Sequence, residues 1–377
     1  MGRAGVYLHI PFCVARCSYC DFATTRYRCD FAERYVRAVV REIESFPLDV
    51  PREIDSLYFG GGTPSTLDPR QIGRLIAAVR ARFRLLADAE VTMEIDPATA
   101  DRNRLCAYRQ LGINRASVGA QTFDDEELAR LKRAHKAADT IALVADLRAT
   151  GFAEINLDLI AGLPRQTLAV WQRNLDCAIE LRPEHMSLYL LEVHERTPLA
   201  RQILRGTVPA PDEDLAAQMY AVMIERLEGA GYEHYEISNF CLPGHRARHN
   251  MKYWTGAPVY GFGCAAHSFD GKRRRWANER AAERYVRMIE EEGRAVVETV
   301  ELDEEAARAE TLFLGLRLMN GFDLKTYAAR FGRNVLRDRA AEIARLRDAG
   351  LIELEGDRLR LTSKGAVLSN EVFVALI

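Results

Sequence analysis

The chain has 377 residues, eight cysteines and a formal net charge of −2, with 48% hydrophobic and 28% charged residues. This length predicts two or three domains and a core large enough to fold without disulfides. The near-neutral charge excludes a strongly basic nucleic-acid-binding protein. A strand-like segment starts almost at once, and the longest uncharged run, residues 253–269, contains Gly, Pro and His. Neither a secretion signal nor a membrane span is indicated, so we expect a cytoplasmic protein with reduced cysteines.

The first half of the chain alternates short apolar runs with amphipathic stretches. Strands are predicted at residues 6–10, 54–59, 91–95, 115–118, 153–159 and 185–190. Helices are predicted at residues 31–46, 69–83, 101–111, 125–133, 137–150 and 166–181. This alternation predicts an α/β fold with a parallel sheet. Six units are too few for a complete TIM barrel, so we expect a partial (β/α)6 barrel with its site at the carboxyl ends of the strands.

The second half divides into two parts. A helix at 212–229 and a last strand at 232–237 complete a predicted barrel domain of residues 1–237. Residues 238–300 show little periodicity and are predicted to be an irregular segment that packs on the barrel. Residues 301–377 predict three helices and a hairpin, which is a winged-helix-like α+β domain. Such domains often bind DNA, but acids are interleaved with its arginines, so packing against the barrel is the favoured interpretation.

Three cysteines, Cys13, Cys17 and Cys20, stand in the spacing C-x3-C-x2-C directly after the first strand. Three thiolates on one loop suit an iron–sulfur cluster, whereas a closed zinc site requires four ligands and no fourth follows at zinc-ribbon spacing. With three protein ligands, one iron of a [4Fe–4S] cluster stays open for a small molecule. A chance grouping of thiols or an unusual zinc site is the alternative. Cys29, Cys106, Cys177, Cys241 and Cys264 are scattered and receive no role.

This cysteine spacing resembles the signature of the radical S-adenosylmethionine (SAM) superfamily. The resemblance implies that the open iron is chelated by the amino and carboxylate groups of SAM. It also implies that a reduced cluster can cleave SAM to a 5′-deoxyadenosyl radical. It leaves two possibilities for this chain, in which SAM is either cleaved or only bound.

Polar or glycine-rich positions follow successive strands, where ligand-binding residues of a barrel are expected. Residues 60–64 read Gly-Gly-Gly-Thr-Pro, and glycines let a backbone approach a ligand closely. Glu94, Gln121 and Asp158 stand at or near the ends of the third, fourth and fifth strands. Each alone could be a helix cap or a turn residue. Arg133 could pair with a carboxylate, or belong to a solvated helix face.

More specifically, the chain resembles the HemN/HemW family, which contains oxygen-independent coproporphyrinogen III oxidase and its relatives. The resemblance rests on the segments at residues 7–13, 60–64, 94–97, 117–121 and 158–164 and, with the winged tail, covers nearly the whole chain. The SAM contacts that it implies are Tyr7, Tyr19, Gly61, Gly62, Thr63, Glu94, Gln121, Arg133 and Asp158.

Two departures separate this sequence from the oxidases of the family. The oxidases carry a further cysteine two positions after the third cluster cysteine, where this chain has Phe22. They also have a longer segment before the first strand. Both departures favour the heme-chaperone branch, with oxidative decarboxylation of coproporphyrinogen propionates as the alternative.

His249-Asn-Met-Lys-Tyr253-Trp254 matches the HNxxYW motif that the heme-chaperone branch uses for heme. Imidazole is a normal axial ligand of heme iron and flat aromatics pack on porphyrins. The resemblance therefore implies heme b contacts from His249, Asn250, Tyr253 and Trp254. Without the family, a satisfied turn beside core aromatics would be the more ordinary interpretation.

The expected function is therefore to bind a [4Fe–4S] cluster, SAM and heme, and to transfer heme to recipient hemoproteins. Membrane-associated hemoproteins are among the candidate recipients, an electron donor would serve the cluster, and no nucleic acid is expected. The G-x-G-x-x-A match at residues 261–266 lacks the strand and acidic residue of a dinucleotide site. His185 lies on an apolar strand and is interpreted as a core histidine.

Overall fold

A partial (β/α)6 barrel occupies the first half of the chain, as predicted. The structure, a computed structural model, describes residues 2–48 and 52–377. Its strands are β1 (Ala4–Ile10), β2 (Phe12–Cys13), β3 (Thr25–Arg26), β4 (Glu53–Gly61), β5 (Arg84–Ile95), β6 (Arg115–Gln121), β7 (Glu154–Ala161) and β8 (His185–Leu190). Its helices are α1 (Cys29–Ser45), α2 (Pro69–Arg82), α3 (Arg102–Gln110), α4 (Asp125–Arg130), α5 (Ala137–Ala149), α6 (Leu168–Glu180) and α7 (Pro198–Leu204).

The strands β1, β4, β5, β6, β7 and β8 lie side by side in that order, and every pair is parallel. The register places Tyr7 opposite Tyr58, and Glu94 opposite Ser117. Because side chains alternate along a strand, these four residues share one face of the sheet. That face is the interior of the barrel.

The two faces of the barrel strands differ in chemistry. Val6 and Leu8 are fully buried in the hydrophobic core that also contains Val36 and Val39 of α1. Tyr7 and His9, at the alternate positions of the same strand, instead line an interior cavity. The apolar face therefore holds the helices on the barrel, and the polar face builds the inside.

The segment 238–300, which we expected to be irregular, contains regular elements. They are β10 (Asn239–Cys241), α9 (Arg248–Thr255), β11 (Val259–Phe262), β12 (His267–Phe269), β13 (Arg274–Asn278), α10 (Ala282–Glu292) and β14 (Val296–Glu301). Before them stand α8 (Glu213–Gly229) and β9 (Glu233–Glu236), close to their predicted positions. The strand β11 pairs in parallel with β1, and β12–β14 follow antiparallel. These strands are short, and β10 and β11 pair with the distant strands β8 and β1, so their local pattern is weak.

The C-terminal residues form the predicted helices and hairpin. The elements are α11 (Glu304–Leu316), β15 (Phe322–Asp323), α12 (Leu324–Phe331), α13 (Val335–Asp338), α14 (Ala340–Asp348), β16 (Ile352–Glu355), β17 (Arg358–Leu361), α15 (Ser363–Val367) and α16 (Ser369–Leu376). The segment after α11 joins the barrel, because Ile237 N–H donates to the Arg317 carbonyl at 3.1 Å and Met319 N–H donates to the Tyr235 carbonyl at 3.0 Å. Within the described part of the chain, no helix combines the length and apolar character that crossing a bilayer requires.

Candidate cofactor-binding cavity

A cavity of about 880 Å³, the central cavity, opens at the carboxyl ends of the barrel strands. All three cysteines of the C-x3-C-x2-C loop line it. So do the nine residues for which we expected SAM contacts, namely Tyr7, Tyr19, Gly61, Gly62, Thr63, Glu94, Gln121, Arg133 and Asp158. Of the four residues expected to contact heme, Asn250 and Tyr253 line this cavity, whereas His249 and Trp254 do not.

The cysteine loop is anchored to neighbouring loops by hydrogen bonds. Thr63 Oγ1 donates to Cys13 Sγ at 3.6 Å, and the Arg133 guanidinium donates to Cys17 Sγ at 3.5 Å. The Ser18 amide donates to the Leu131 carbonyl at 3.1 Å. The loop is therefore held against the turns that follow β4 and α4.

The loop chemistry fits an iron–sulfur cluster. Burial raises the pKa of Cys13 to about 11 and also raises the pKa of Cys20. A bound cationic centre would reverse this, because it stabilises thiolates. Among residues 2–48 and 52–377, no three His, Cys, Asp or Glu side chains converge as a site for a single ion. A cluster is larger than one ion and is bound by thiolates spread around it, which suits three thiols on one loop.

The glycine turn after β4 brings backbone close to the cysteine loop. Gly61 has a φ of +116°, and its amide donates to Glu94 Oε2 at 3.1 Å. A Cβ atom at Gly62 would lie 2.7 Å from the Pro11 carbonyl carbon, which is too close for any side chain. The turn therefore requires glycine both for its left-handed φ and for its close packing.

Two buried carboxyl groups, those of Glu94 and Asp158, lie in the barrel interior, where they are shielded from water. Burial, together with the charge of Asp158, raises the pKa of Glu94 to about 7. Burial likewise raises the pKa of Asp158 to about 6, although Asn156 and Ser117 hydrogen-bond to it at 2.7 and 3.1 Å. Tyr58 OH donates to Glu94 Oε1 at 3.0 Å. These carboxyls are available to accept hydrogen bonds from a ligand that replaces water.

Arg133 is not solvated on a helix face, because it points into the central cavity. Its guanidinium pairs with Asp96 Oδ2 at 2.7 Å and donates to the Gly119 carbonyl at 2.7 Å. Burial acts to lower the pKa of Arg133, but Asp96 outweighs it and the pKa lies above the usual value. Its buried Nε has no hydrogen-bond partner among the described residues. The Arg133 guanidinium can therefore still donate a hydrogen bond to an anionic group.

Further cavity residues were missed in the sequence. They occupy inward positions of the barrel strands and are His9, Tyr58, Thr92, Arg115, Ser117, Asn156, His185, Ser187 and Tyr189. They alternate along each strand with outward-facing residues, as Asn156 and Asp158 do, or His185, Ser187 and Tyr189. This alternation of polar residues is the signal by which the sequence could have revealed them. His185, interpreted as a core histidine, is 1% exposed and has both ring nitrogens hydrogen-bonded, to Asn156 and Tyr235.

The HNxxYW segment forms helix α9, which closes the amino end of the barrel, here called the barrel floor. His249 is 1% exposed, and its ring lies within hydrogen-bond distance of Ser56 Oγ through Nδ1 and of Tyr253 OH through Nε2, each at 3.0 Å. Burial, and then the nearby Lys252, lower the pKa of His249 to about 3, so the ring is neutral. Glu90 of β5 accepts hydrogen bonds from the first amides of the helix, Arg248 N–H at 2.8 Å and His249 N–H at 3.0 Å.

Trp254 lies on the other side of α9. It lines a second cavity of about 340 Å³ between this helix and the C-terminal domain. The Arg317 guanidinium lies over its ring, 4.4 Å from the centroid, and also pairs with the buried Glu236 at 3.4 Å. The structure therefore divides the four predicted heme residues between the barrel floor, the central cavity and the domain junction.

Comparison with known proteins gives two family matches. Residues 7–177 match the model of the radical SAM superfamily. Residues 302–368 match the model of the HemN C-terminal domain. The first match contains the cysteine loop and the glycine turn, and the second covers most of the winged tail.

Full-length relatives and a solved structure are also similar. A heme chaperone HemW of Mycobacterium tuberculosis is 36% identical over 99% of this chain and 94% of its own length. A heme chaperone HemW of Bacillus subtilis is 32% identical over 98% of both chains. The structure of coproporphyrinogen III oxidase (HemN) from Escherichia coli, a radical SAM enzyme, matches with a TM-score of 0.87 and 26% identity, covering 99% of this chain and 90% of that chain.

Proposed function

Since the chain belongs to the HemN/HemW family of radical SAM proteins, we propose that it is a heme chaperone of the HemW branch. In this role it binds a [4Fe–4S] cluster, SAM and heme b, and transfers the heme to recipient hemoproteins. The observation that carries the proposal is the similarity along almost the whole chain to relatives named heme chaperones. Phe22, where the oxidases have a further cysteine, agrees with this branch.

Cys13, Cys17 and Cys20 would hold the cluster. When bound, a [4Fe–4S] cluster with an open iron supplies a binding point for SAM and an electron for its cleavage. The protein contributes hydrogen bonds from Thr63 to Cys13 and from Arg133 to Cys17, which hold the two sulfurs in position.

The remaining cavity residues would orient SAM. Arg133 is placed to pair with the SAM carboxylate while Asp96 keeps the guanidinium in position. The glycine turn leaves room for the amino group, and Glu94 and Asp158 can accept hydrogen bonds within the buried interior. Because Glu94 lies near the end of β5 and Asp96 directly follows this strand, a shift of β5 would move both groups together.

Hemin titration is the direct test of the proposal. Anaerobically purified protein is titrated with hemin, and the Soret band is followed; the loaded protein is then mixed with apomyoglobin as an acceptor. We expect a saturable Soret shift, followed by the spectrum of myoglobin. A wild-type protein that gives no Soret change would overturn the assignment, and binding without transfer would reduce it to a heme-binding protein.

A second candidate is the oxidase activity, favoured by the close structural match to HemN. Reconstituted protein would be incubated anaerobically with reductant, SAM and coproporphyrinogen III. Protoporphyrinogen formation would assign the enzyme function. Its absence from a preparation with an intact cluster would count against the oxidase and leave the chaperone proposal standing.

A further inference from the structure

The eight histidines of the chain differ in whether a ring nitrogen is free to bind iron. An axial ligand must present a nitrogen lone pair to the metal, so a nitrogen that is already hydrogen-bonded inside the protein is not available. His9, His185 and His249 have both ring nitrogens within hydrogen-bond distance of protein groups. His135, His234 and His245 each have one ring nitrogen so engaged and do not line the central cavity.

His249 in particular is enclosed by the barrel floor. Ser56 and Tyr253 engage its two ring nitrogens, and a side chain that is 1% exposed leaves no space for a porphyrin. Ligation by His249 would require Tyr253 to leave and α9 to separate from β4. The HNxxYW histidine therefore does not fit the role of an accessible iron ligand in this structure.

His267 has the opposite properties. It is the first residue of β12, is exposed, and lines the central cavity at its outer rim. Its side chain makes no hydrogen bond or ion pair with any residue in the ranges 2–48 and 52–377. The backbone is fixed by pairing with Ala277 of β13, so the imidazole is presented from a rigid strand. His194, in the loop after β8, is also exposed and lines the cavity, but it lies 3.7 Å from Glu192.

The surroundings of His267 suit a flat ring that carries carboxylates. Phe22, at the end of the cysteine loop, is 67% exposed and lines the same rim. Arg280 is exposed, donates to the Asp21 carbonyl and pairs with the Asp21 carboxylate at 3.6 Å. Arg280 and His267 both lie close enough to His9 to help burial lower the pKa of His9 to about 4. The rim thus combines a free imidazole, an exposed aromatic face and a cation.

We propose that heme binds at this rim, with His267 as the axial ligand, Phe22 against the porphyrin face and Arg280 paired with a propionate. This inference rests on the proposed function, because it names the site at which the chaperone would hold its heme. It assigns His249 to the barrel floor as a structural residue. It also places the heme beside the cysteine loop, since Phe22 follows Cys20 by two positions.

Three alanine variants test the site: His267→Ala, His194→Ala as the matched exposed histidine of the same cavity, and His249→Ala. Hemin binding is measured by Soret titration, and the ligand field by electron paramagnetic resonance of the ferric complex. Circular dichroism confirms that each variant is folded. We expect His267→Ala to bind hemin at least about tenfold more weakly and to lose the histidine-ligated spectrum. Added imidazole should restore that spectrum.

The outcomes separate the two proposals. If wild-type protein binds no hemin, the proposed function fails and the site fails with it. If wild-type protein binds hemin and His267→Ala keeps the wild-type affinity and spectrum, only the site is wrong. Loss of the spectrum in His194→Ala, or in a folded His249→Ala with His267→Ala unchanged, would reassign the ligand. Should His249→Ala fail to fold, the other two variants still decide.

Discussion

The histidine at the rim of the central cavity and the histidine of the barrel floor differ in whether their ring nitrogens already have hydrogen-bond partners. At the floor, His249 is hydrogen-bonded and Lys252 is paired with Asp55 at 2.5 Å. At the rim, His267 and Phe22 are exposed, and the His267 side chain has no hydrogen-bond or ion-pair partner among residues 2–48 and 52–377. Satisfied polar groups hold a fold together, whereas unsatisfied ones are left for ligands. A histidine in a motif therefore shows its role through its contacts and not through its neighbours in sequence.

The largest expected effect concerns the cysteine loop. Cys17→Ser should abolish cluster binding, because only two thiolates would remain, while the fold should persist. Iron and sulfide content and the visible absorption of the anaerobically reconstituted protein measure this. Cys177→Ser, on α6 and outside the central cavity, is the control and should keep the cluster. If Cys17→Ser keeps the iron and sulfide content of the wild-type protein, the loop does not bind the cluster as proposed.

The floor is tested next by His249→Ala. We expect the free energy of unfolding to fall by about 3 kcal/mol, because the change leaves a cavity and removes the hydrogen-bond partner of Ser56 and Tyr253. Urea denaturation measures it. His194→Ala, at an exposed site, should change stability by less than about 0.5 kcal/mol. Equal effects of the two changes would remove the distinction between floor and rim.

Glu94, whose carboxyl group lies in the barrel interior, should make the free energy of unfolding depend on pH. The pKa of Glu94 is raised from an ordinary 4.5 to about 7, so the unfolded chain loses this proton first as the pH rises. The contribution of Glu94 is thus present at pH 4 and lost as the pH passes about 7, a change of about 3 kcal/mol. Urea denaturation across this range should show a smaller slope for Glu94→Gln. An unchanged slope would contradict the shift, and Glu283→Gln, at an exposed site, is the control.

The smallest effect is expected for Tyr253→Phe. This change removes one hydrogen bond to His249 and keeps the ring, so stability should fall by about 1 kcal/mol. Urea denaturation would detect it. If His267 is the heme ligand, hemin affinity should not change. A marked gain in hemin affinity would show instead that Tyr253 restricts access to His249.

Much of the fold could be predicted because apolar runs mark the barrel strands directly. The predicted strand at 115–118 has the same first residue as β6 and ends three residues before it. In contrast, β5 begins at Arg84, seven residues before its predicted start. Its first half carries Arg84, Asp88 and Glu90, and such charged residues are uncommon in strands, so this half does not show the pattern of a strand. The cavity residues at strand ends could be predicted for the same reason, since parallel strands end together.

The helix α9 could not be predicted, because its stabilising contacts are not local. In the described part of the chain, the N-cap residue Ala247 makes no side-chain capping hydrogen bond to this helix. Glu90, far away in sequence, accepts from its first amides and complements the positive end of the helix dipole. The enclosure of His249 depends on the same contact, so the sequence motif could suggest a ligand but not its accessibility. The exposure of His267 likewise depends on the pairing of β12 with β13.

Tyr253 and Trp254 are adjacent in sequence but serve different parts of the molecule, one at the central cavity and one beneath Arg317. Arg317 belongs to the winged tail and is also the counter-ion of Glu236, whose side chain is fully buried. Removing the tail would leave that carboxylate without its positive partner and uncover the indole. In terms of protein engineering, the tail is therefore not an exchangeable module. Grafting another domain after β14 would first require redesign of Glu236 and Trp254.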